Sequence, residues 1–185
     1  MEDIDAEGLK NVIERAQKGD KEAFSSLYTA YFAPLYRYIF FRVQNKDEAE
    51  DLTQEVFIKA YGSFNRYIYT GTSPLAYLYT IARNTIIDFR RKKKIIVLDE
   101  NELLLIADDH DSPQDLAIKN QESAILHQAI AALTEDQQDV VVLHLIDGLP
   151  TSEVAAMLDK SEEAVRQIQS RALKILKKNI YEYTK

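Results

Sequence analysis

Apolar side chains in this 185-residue chain return every three or four residues over most of its length, and nowhere do they alternate as a half-buried strand requires. Leu9, Val12, Ile13 and Ala16 set the pattern, and Phe24, Leu27, Tyr28 and Tyr31 repeat it. Gly19-Asp20 between them stops one helix and caps the next. Pro34 marks a kink or a new start before an aromatic segment (Leu35, Tyr36, Tyr38, Ile39, Phe40, Phe41). Asp47 suits the N-cap of a helix reaching about Phe64, with Leu52, Val56, Ala60 and Phe64 inward. A polar, aromatic loop follows, and Ser73-Pro74 opens a helix that buries Leu75, Leu78, Ala82, Ile86 and Phe89 and ends in a basic run. Only five Gly and four Pro punctuate the chain, which suits helices better than hairpins. The expected fold class is all-α, and the first block is a helical bundle.

Charge divides the chain. Residues 1–94 carry net +2, residues 95–122 net −7 and residues 123–185 net −2. Two near-neutral helical domains, 1–94 and 123–185, are therefore expected on either side of an acidic linker, 95–122. The linker has apolar clusters (Ile95 to Leu98, Leu103 to Ile106) without a sustained period, and Asp111-Ser112-Pro113 is a breaker. The chain has no cysteine, so disulfides and thiolate chemistry are excluded. With no long apolar run and no apolar core in its acidic N-terminus, a cytoplasmic protein is expected. Its three histidines (His110, His127, His144) are scattered, and no phosphate loop or nucleophile motif occurs. An enzyme is the weakest reading, and no cofactor, metal or small-molecule substrate is expected.

Four helical segments follow the linker, at about 114–132, 134–146, 151–158 and 162–181, making a four-helix C-terminal domain. The last two have the spacing of a helix-turn-helix. Val154, Ala155 and Leu158 belong to the first helix, Asp159-Lys160-Ser161 is the turn, and Val165, Ile168, Ala172, Ile175 and Leu176 form the buried stripe of the second. Asp159 takes the turn position that Gly usually fills, which an αL-tolerant residue can do. The opposite face presents Ser161, Glu162, Glu163, Arg166, Gln167, Ser170, Arg171 and Lys174. In a major groove, Arg reads guanine, Gln reads adenine, and Lys and Ser hold phosphates.

Two other constellations stand out. Asp51, Gln54, Glu55 and Ile58 share a helix side away from the core stripe, an acidic-amide face suited to a basic partner helix. Tyr67, Tyr69, Tyr77 and Tyr79 lie close in sequence to Arg66, Arg83, Asn84, Arg90 and Arg91. Aromatic rings interleaved with cations are what unpaired bases require.

Together these segments resemble bacterial RNA polymerase sigma factors of the compact extracytoplasmic-function type. Ala49-Glu50-Asp51-Leu52-Thr53-Gln54-Glu55-Val56-Phe57 is similar to their core-binding segment, Ile81 through Arg91 to their promoter-melting helix, and Leu133 through Leu173 to their C-terminal domain. The resemblance implies that Asp51, Gln54, Glu55, Phe57 and Ile58 dock on core RNA polymerase. It implies that the loop 65–73 and the helix after it capture single-stranded minus-ten DNA, with Arg83, Asn84, Arg90 and Arg91 on the strand. Glu162, Arg166, Gln167, Ser170 and Arg171 would face the minus-thirty-five duplex, and the linker would run through the polymerase active-site cleft. The family often has an anti-sigma factor. Tyr77 stands where the family commonly has Trp. The competing readings are a stand-alone helix-turn-helix transcriptional regulator that binds an operator without polymerase, and a helical protein-interaction module with no promoter footprint.

Overall fold

The computed structural model describes residues 6–69, 73–99 and 119–183, and among these every regular element is helical. The order is α1 (Ala6–Gln17), α2 (Lys21–Val43), α3 (Lys46–Ser63), a 3-10 turn (Phe64–Arg66), α4 (Leu75–Asp99), α5 (Lys119–Ala131), α6 (Glu135–Val140), a π-helical turn (Val141–Ile146), α7 (Thr151–Leu158) and α8 (Glu162–Tyr183). Most of the expected linker, residues 100–118, and loop residues 70–72 lie outside the described residues. The chain divides into two compact units, Met1–Ile86 and Ile87–Lys185. The division falls inside α4, ahead of residue 94.

In the first unit, α2 packs on both α1 and α3. Asp20 caps α2 by accepting from the N–H groups of Glu22 (3.0 Å) and Ala23 (3.2 Å). Those amides, Ala23's first, and the Arg15 guanidinium hold its carboxyl below the usual carboxylate range. α2 does not restart at Pro34 but continues through it as one helix. The rings of Tyr28, Phe32, Tyr36 and Phe40 follow one another at 5.2, 6.0 and 5.9 Å along its length, on both sides of the proline. The N-cap of α3 is Asn45 rather than Asp47. Its Oδ1 accepts from Glu48 N–H at 2.9 Å, and Asp47 lies in the first turn, where its charge meets the positive end of the helix dipole. α4 opens with Leu75 N–H donating to Ser73 Oγ at 3.2 Å. It buries Leu78, Ala82 and Ile86, with Leu75 and Phe89 half-buried. It also continues past the basic run to Asp99, since no Gly or Pro intervenes to break it.

In the second unit, α5, α6 and α7 each pack on α8. The helix expected over 134–146 is continuous from Glu135 to Ile146. Residues 138–143, including Val140, Val141, Val142 and Leu143, are all buried, so this stretch is covered on every side. Its second half is widened into the π-helical turn. Asp147 N–H closes it on Val142 O at 2.9 Å, and His144 Nδ1 lies 2.7 Å from Leu149 O. Ile130, Val154 and Val165 complete a core of fully buried aliphatic side chains. Each such side chain contributes about 1.5–3 kcal/mol through burial. No helix among the described residues is long and apolar enough to cross a membrane.

Candidate nucleic-acid interface

α7 ends at Asp159, whose backbone is left-handed (φ 52°, ψ 49°) and whose N–H, like that of Lys160 at 2.9 Å, bonds to Ala155 O. Lys160 Nζ reaches Asp136 of α6 at 2.9 Å and fastens the turn to the rest of the unit. Ser161 Oγ accepts from Ala164 N–H at 3.1 Å, capping α8. Val165, Ala172 and Leu176 are buried on α8, with Ile168 and Ile175 half-buried. Ser161, Glu162, Glu163, Arg166, Gln167, Ser170, Arg171 and Lys174 are all exposed. Arg166 pairs with Glu162 at 2.8 Å and Glu163 at 3.7 Å, and Gln167 Nε2 donates to Glu163 Oε1 at 3.4 Å. Exposed pairs of this kind are worth about 0–1 kcal/mol, so exchanging them for a base edge or phosphate costs little.

Around the 3-10 turn, the aromatic residues pack on one another. The Tyr67 ring stacks on Phe64 (5.3 Å, 21°) and tilts onto Tyr77 (4.9 Å), whose hydroxyl lies 2.6 Å from Ser63 Oγ. Tyr67, Tyr69 and Tyr77 pack against the cluster of Ile13, Ala16, Ala23, Leu27 and Phe64, and Tyr79 is fully buried against Tyr38. Burial pushes the Tyr67 phenol up. Tyr67, Tyr69 and Tyr77 form the half-buried wall of the loop, with the Tyr67 and Tyr77 rings engaged on each other and Tyr79 closed off in the core. What the wall exposes is Asn65, Arg66 and Ile68, the last 79% exposed. The helical periods used to read the sequence passed over Ile68. Its signal is a short period of two, with an outward apolar residue between inward Tyr67 and Tyr69.

α4 places Arg83 and Arg90 seven residues apart, and Asn84 and Arg91 likewise, so the four share one broad side of the helix. Asn84 and Arg91 are exposed and Arg83 and Arg90 half-buried. Arg91 pairs with Asp88 at 3.1 Å and Arg90 with Glu135. On α3, Asp51, Gln54 and Glu55 are exposed, and Ile58 beside them is 72% exposed. Phe57 departs from that face. It is 4% exposed, its ring enclosed by Tyr28 (4.6 Å), Phe24 and Phe32 (both 6.5 Å). No group of three or more His, Cys, Asp or Glu side chains among the described residues could hold a metal ion.

Comparison with known proteins matches both units. The family model for Sigma-70 region 2 matches residues 27–95, and that for Sigma-70, region 4 matches residues 129–178. The ECF RNA polymerase sigma factor BldN of Streptomyces coelicolor is 35% identical over 175 residues, covering 94% of this chain and 66% of BldN. SigX of Bacillus subtilis, also an ECF sigma factor, is 32% identical over 165 residues, covering 86% of this chain and 84% of SigX. Among solved structures, the sigma factor RpoE bound to the anti-sigma factor NepR from Bartonella quintana is similar with a TM-score of 0.71 at 22% identity, covering 85% and 96% of the two chains. CnrH in complex with the cytosolic domain of CnrY gives 0.68 at 21% identity, covering 90% and 92%. These two establish a shared fold. The α3–α4 helices up to residue 95 and the helix-turn-helix up to residue 178 fall in the two matched regions, and the chain belongs to the ECF RNA polymerase sigma factors.

Proposed function

We propose that residues 1–94 dock on core RNA polymerase and capture the unpaired minus-ten strand, that residues 123–185 read the minus-thirty-five duplex, and that the acidic stretch 95–122 links them. As a sigma factor the chain binds core polymerase and promoter DNA and starts transcription. The residue assignments build on that. Asp51, Gln54, Glu55 and Ile58 meet basic helices of the polymerase, and Phe57 supports that face from beneath. Arg66, Ile68, Arg83, Asn84, Arg90 and Arg91 meet the single strand, with Tyr67, Tyr69 and Tyr77 holding the loop in shape. Ser161, Glu162, Glu163, Arg166, Gln167, Ser170, Arg171 and Lys174 face the duplex. The protein acts in the cytoplasm and carries no catalytic residue. RpoE in the similar solved structure is bound to the anti-sigma factor NepR, and an anti-sigma factor that covers the α3 and α8 faces fits this chain too.

The observation that carries the docking assignment is the grouping of exposed Asp51, Gln54, Glu55 and Ile58 on one side of α3, apart from its buried Leu52, Val56 and Ala60. An exposed isoleucine alone is ordinary surface, but set among two carboxylates and an amide it offers a basic partner helix an apolar contact inside a charge-complementary face. The test is co-elution with cognate core polymerase at moderate salt. The wild-type chain forms a stoichiometric complex. Asp51→Ala with Glu55→Ala loses it at unchanged helix content, and Arg166→Ala with Arg171→Ala keeps it but weakens promoter binding by ten-fold or more. An unimpaired complex from the first pair would remove α3 as the docking face.

A further inference from the structure

Polar contacts join α3 to α4 through Ser63 Oγ and the Tyr77 hydroxyl at the start of α4 and, further along α4, through Lys59 and Thr85. Lys59 Nζ lies 2.7 Å from Glu55 Oε1 on its own helix and donates to Thr85 Oγ1 of α4 at 3.1 Å. An exposed Glu–Lys pair four residues apart on a helix needs no third partner. Here the ammonium uses a second donor to reach a hydroxyl that is only 2% exposed, on a different helix. Thr85 is otherwise among aliphatic side chains, with Ala82 and Ile86 buried beside it on α4. Packing of Leu78, Tyr79, Ala82 and Ile86 sets the rotation of α4, and the directional bond to Thr85 adds a polar constraint at the turn that carries Arg83 and Asn84. Fixing Thr85 inward also fixes its neighbours Arg83 and Asn84, since each residue turns the helix by about 100°.

The other end of the bridge has its own consequence. Glu55 stands on the exposed face of α3, with Asp51, Gln54 and Ile58. In the free chain its carboxylate neutralises the Lys59 ammonium. A polymerase cation that takes the Glu55 carboxylate leaves the Lys59 charge facing α4, where it raises the potential at the helix that meets phosphate.

We infer that Lys59 is a positioning residue that couples polymerase docking at Glu55 to the strand-binding face of α4 through Thr85. This rests on the docking and strand roles given above to α3 and α4. By linkage, docking then strengthens strand capture, and strand capture strengthens docking by the same factor.

The test uses holoenzyme reconstituted from the full chain and cognate core polymerase. Its probe is a labelled single-stranded 20-mer drawn from the strand that the wild-type holoenzyme selects from a random pool. Lys59→Met assembles with core at an affinity within two-fold of wild type but binds the 20-mer at least five-fold more weakly, and Lys59→Arg recovers most of the loss. Thr85→Val, close to Thr in shape, gives a similar loss. The Lys59→Met, Thr85→Val double variant is no weaker than Lys59→Met alone, as a shared bond requires. Thermal melts of the free chains move little, which separates positioning from misfolding. Unchanged strand affinity in Lys59→Met overturns the inference, as do additive losses in the double variant, or a loss of core affinity that accounts for the loss of strand affinity. Each of these leaves the sigma-factor roles of α3 and α4 standing. Failure of the wild-type holoenzyme to select any strand would instead remove the strand role and this coupling with it.

Discussion

Asp159 shows how much a single backbone angle decides. Its φ of 52° places a residue with a side chain in the left-handed region at the turn between α7 and α8, and that turn sets the angle between the two helices. For most residues this conformation costs roughly 1–2 kcal/mol, less for Asp and nothing for Gly. Asp159→Gly is therefore expected to raise the stability of the second unit by a fraction of a kcal/mol, up to about 1 kcal/mol. Asp159→Ile is expected to lower it by about 1–2 kcal/mol, since a β-branched residue is an outlier there. Hydrogen exchange of the α7 and α8 amides measures both. Equal losses in the two variants would mean that the carboxylate, and not the angle, holds the turn.

At the scale of elements, α1 has a role that its position ahead of the matched region does not suggest, since the region 2 match begins at residue 27. Ile13 and Ala16 pack with Ala23, Leu27 and Phe64, and the Gln17 amide donates to the Tyr67 carbonyl at the start of the loop. Gln17→Leu removes that tether while keeping an apolar stem against the cluster, at about 1 kcal/mol. The expected result is open-complex formation by the holoenzyme slowed three- to ten-fold, with core affinity unchanged. A wild-type rate would show that the aromatic wall holds the loop without α1. Gln17, Lys59 and Ile68 were all missed in the sequence, and for one reason. Each acts through a contact across elements or through local geometry, and periodicity reports only which side of one helix faces inward. What periodicity does report came through well. The core stripe of α3, the Asp20 cap, the αL turn at Asp159 and the exposed face of α8 were all legible. The misreadings were local: α2 does not start anew at Pro34, and Asn45 rather than Asp47 caps α3.

The charge of the whole molecule bears on how it meets DNA. The chain is net −7, with its densest acidic stretch between the two segments proposed above to meet nucleic acid. On α8, Arg166, Arg171 and Lys174 offer three charges to phosphate, and Glu162 and Glu163 oppose them from the same side. Three phosphate contacts give a salt slope near −2.7, so affinity for duplex falls roughly 40-fold between 50 and 200 mM salt. Little of a stand-alone binder's affinity remains at physiological salt. Polymerase, which grips DNA with its own basic surface, has to supply the rest, and α8 is left to discriminate between sequences. The isolated chain is accordingly expected to bind a promoter duplex more weakly than about 10 µM at 150 mM salt, within the non-specific range. The holoenzyme should bind the same duplex at least a hundred-fold more tightly. Fluorescence anisotropy with and without core measures both. Tight, sequence-specific binding by the chain alone would contradict this division of labour and put a polymerase-independent contact with duplex in its place.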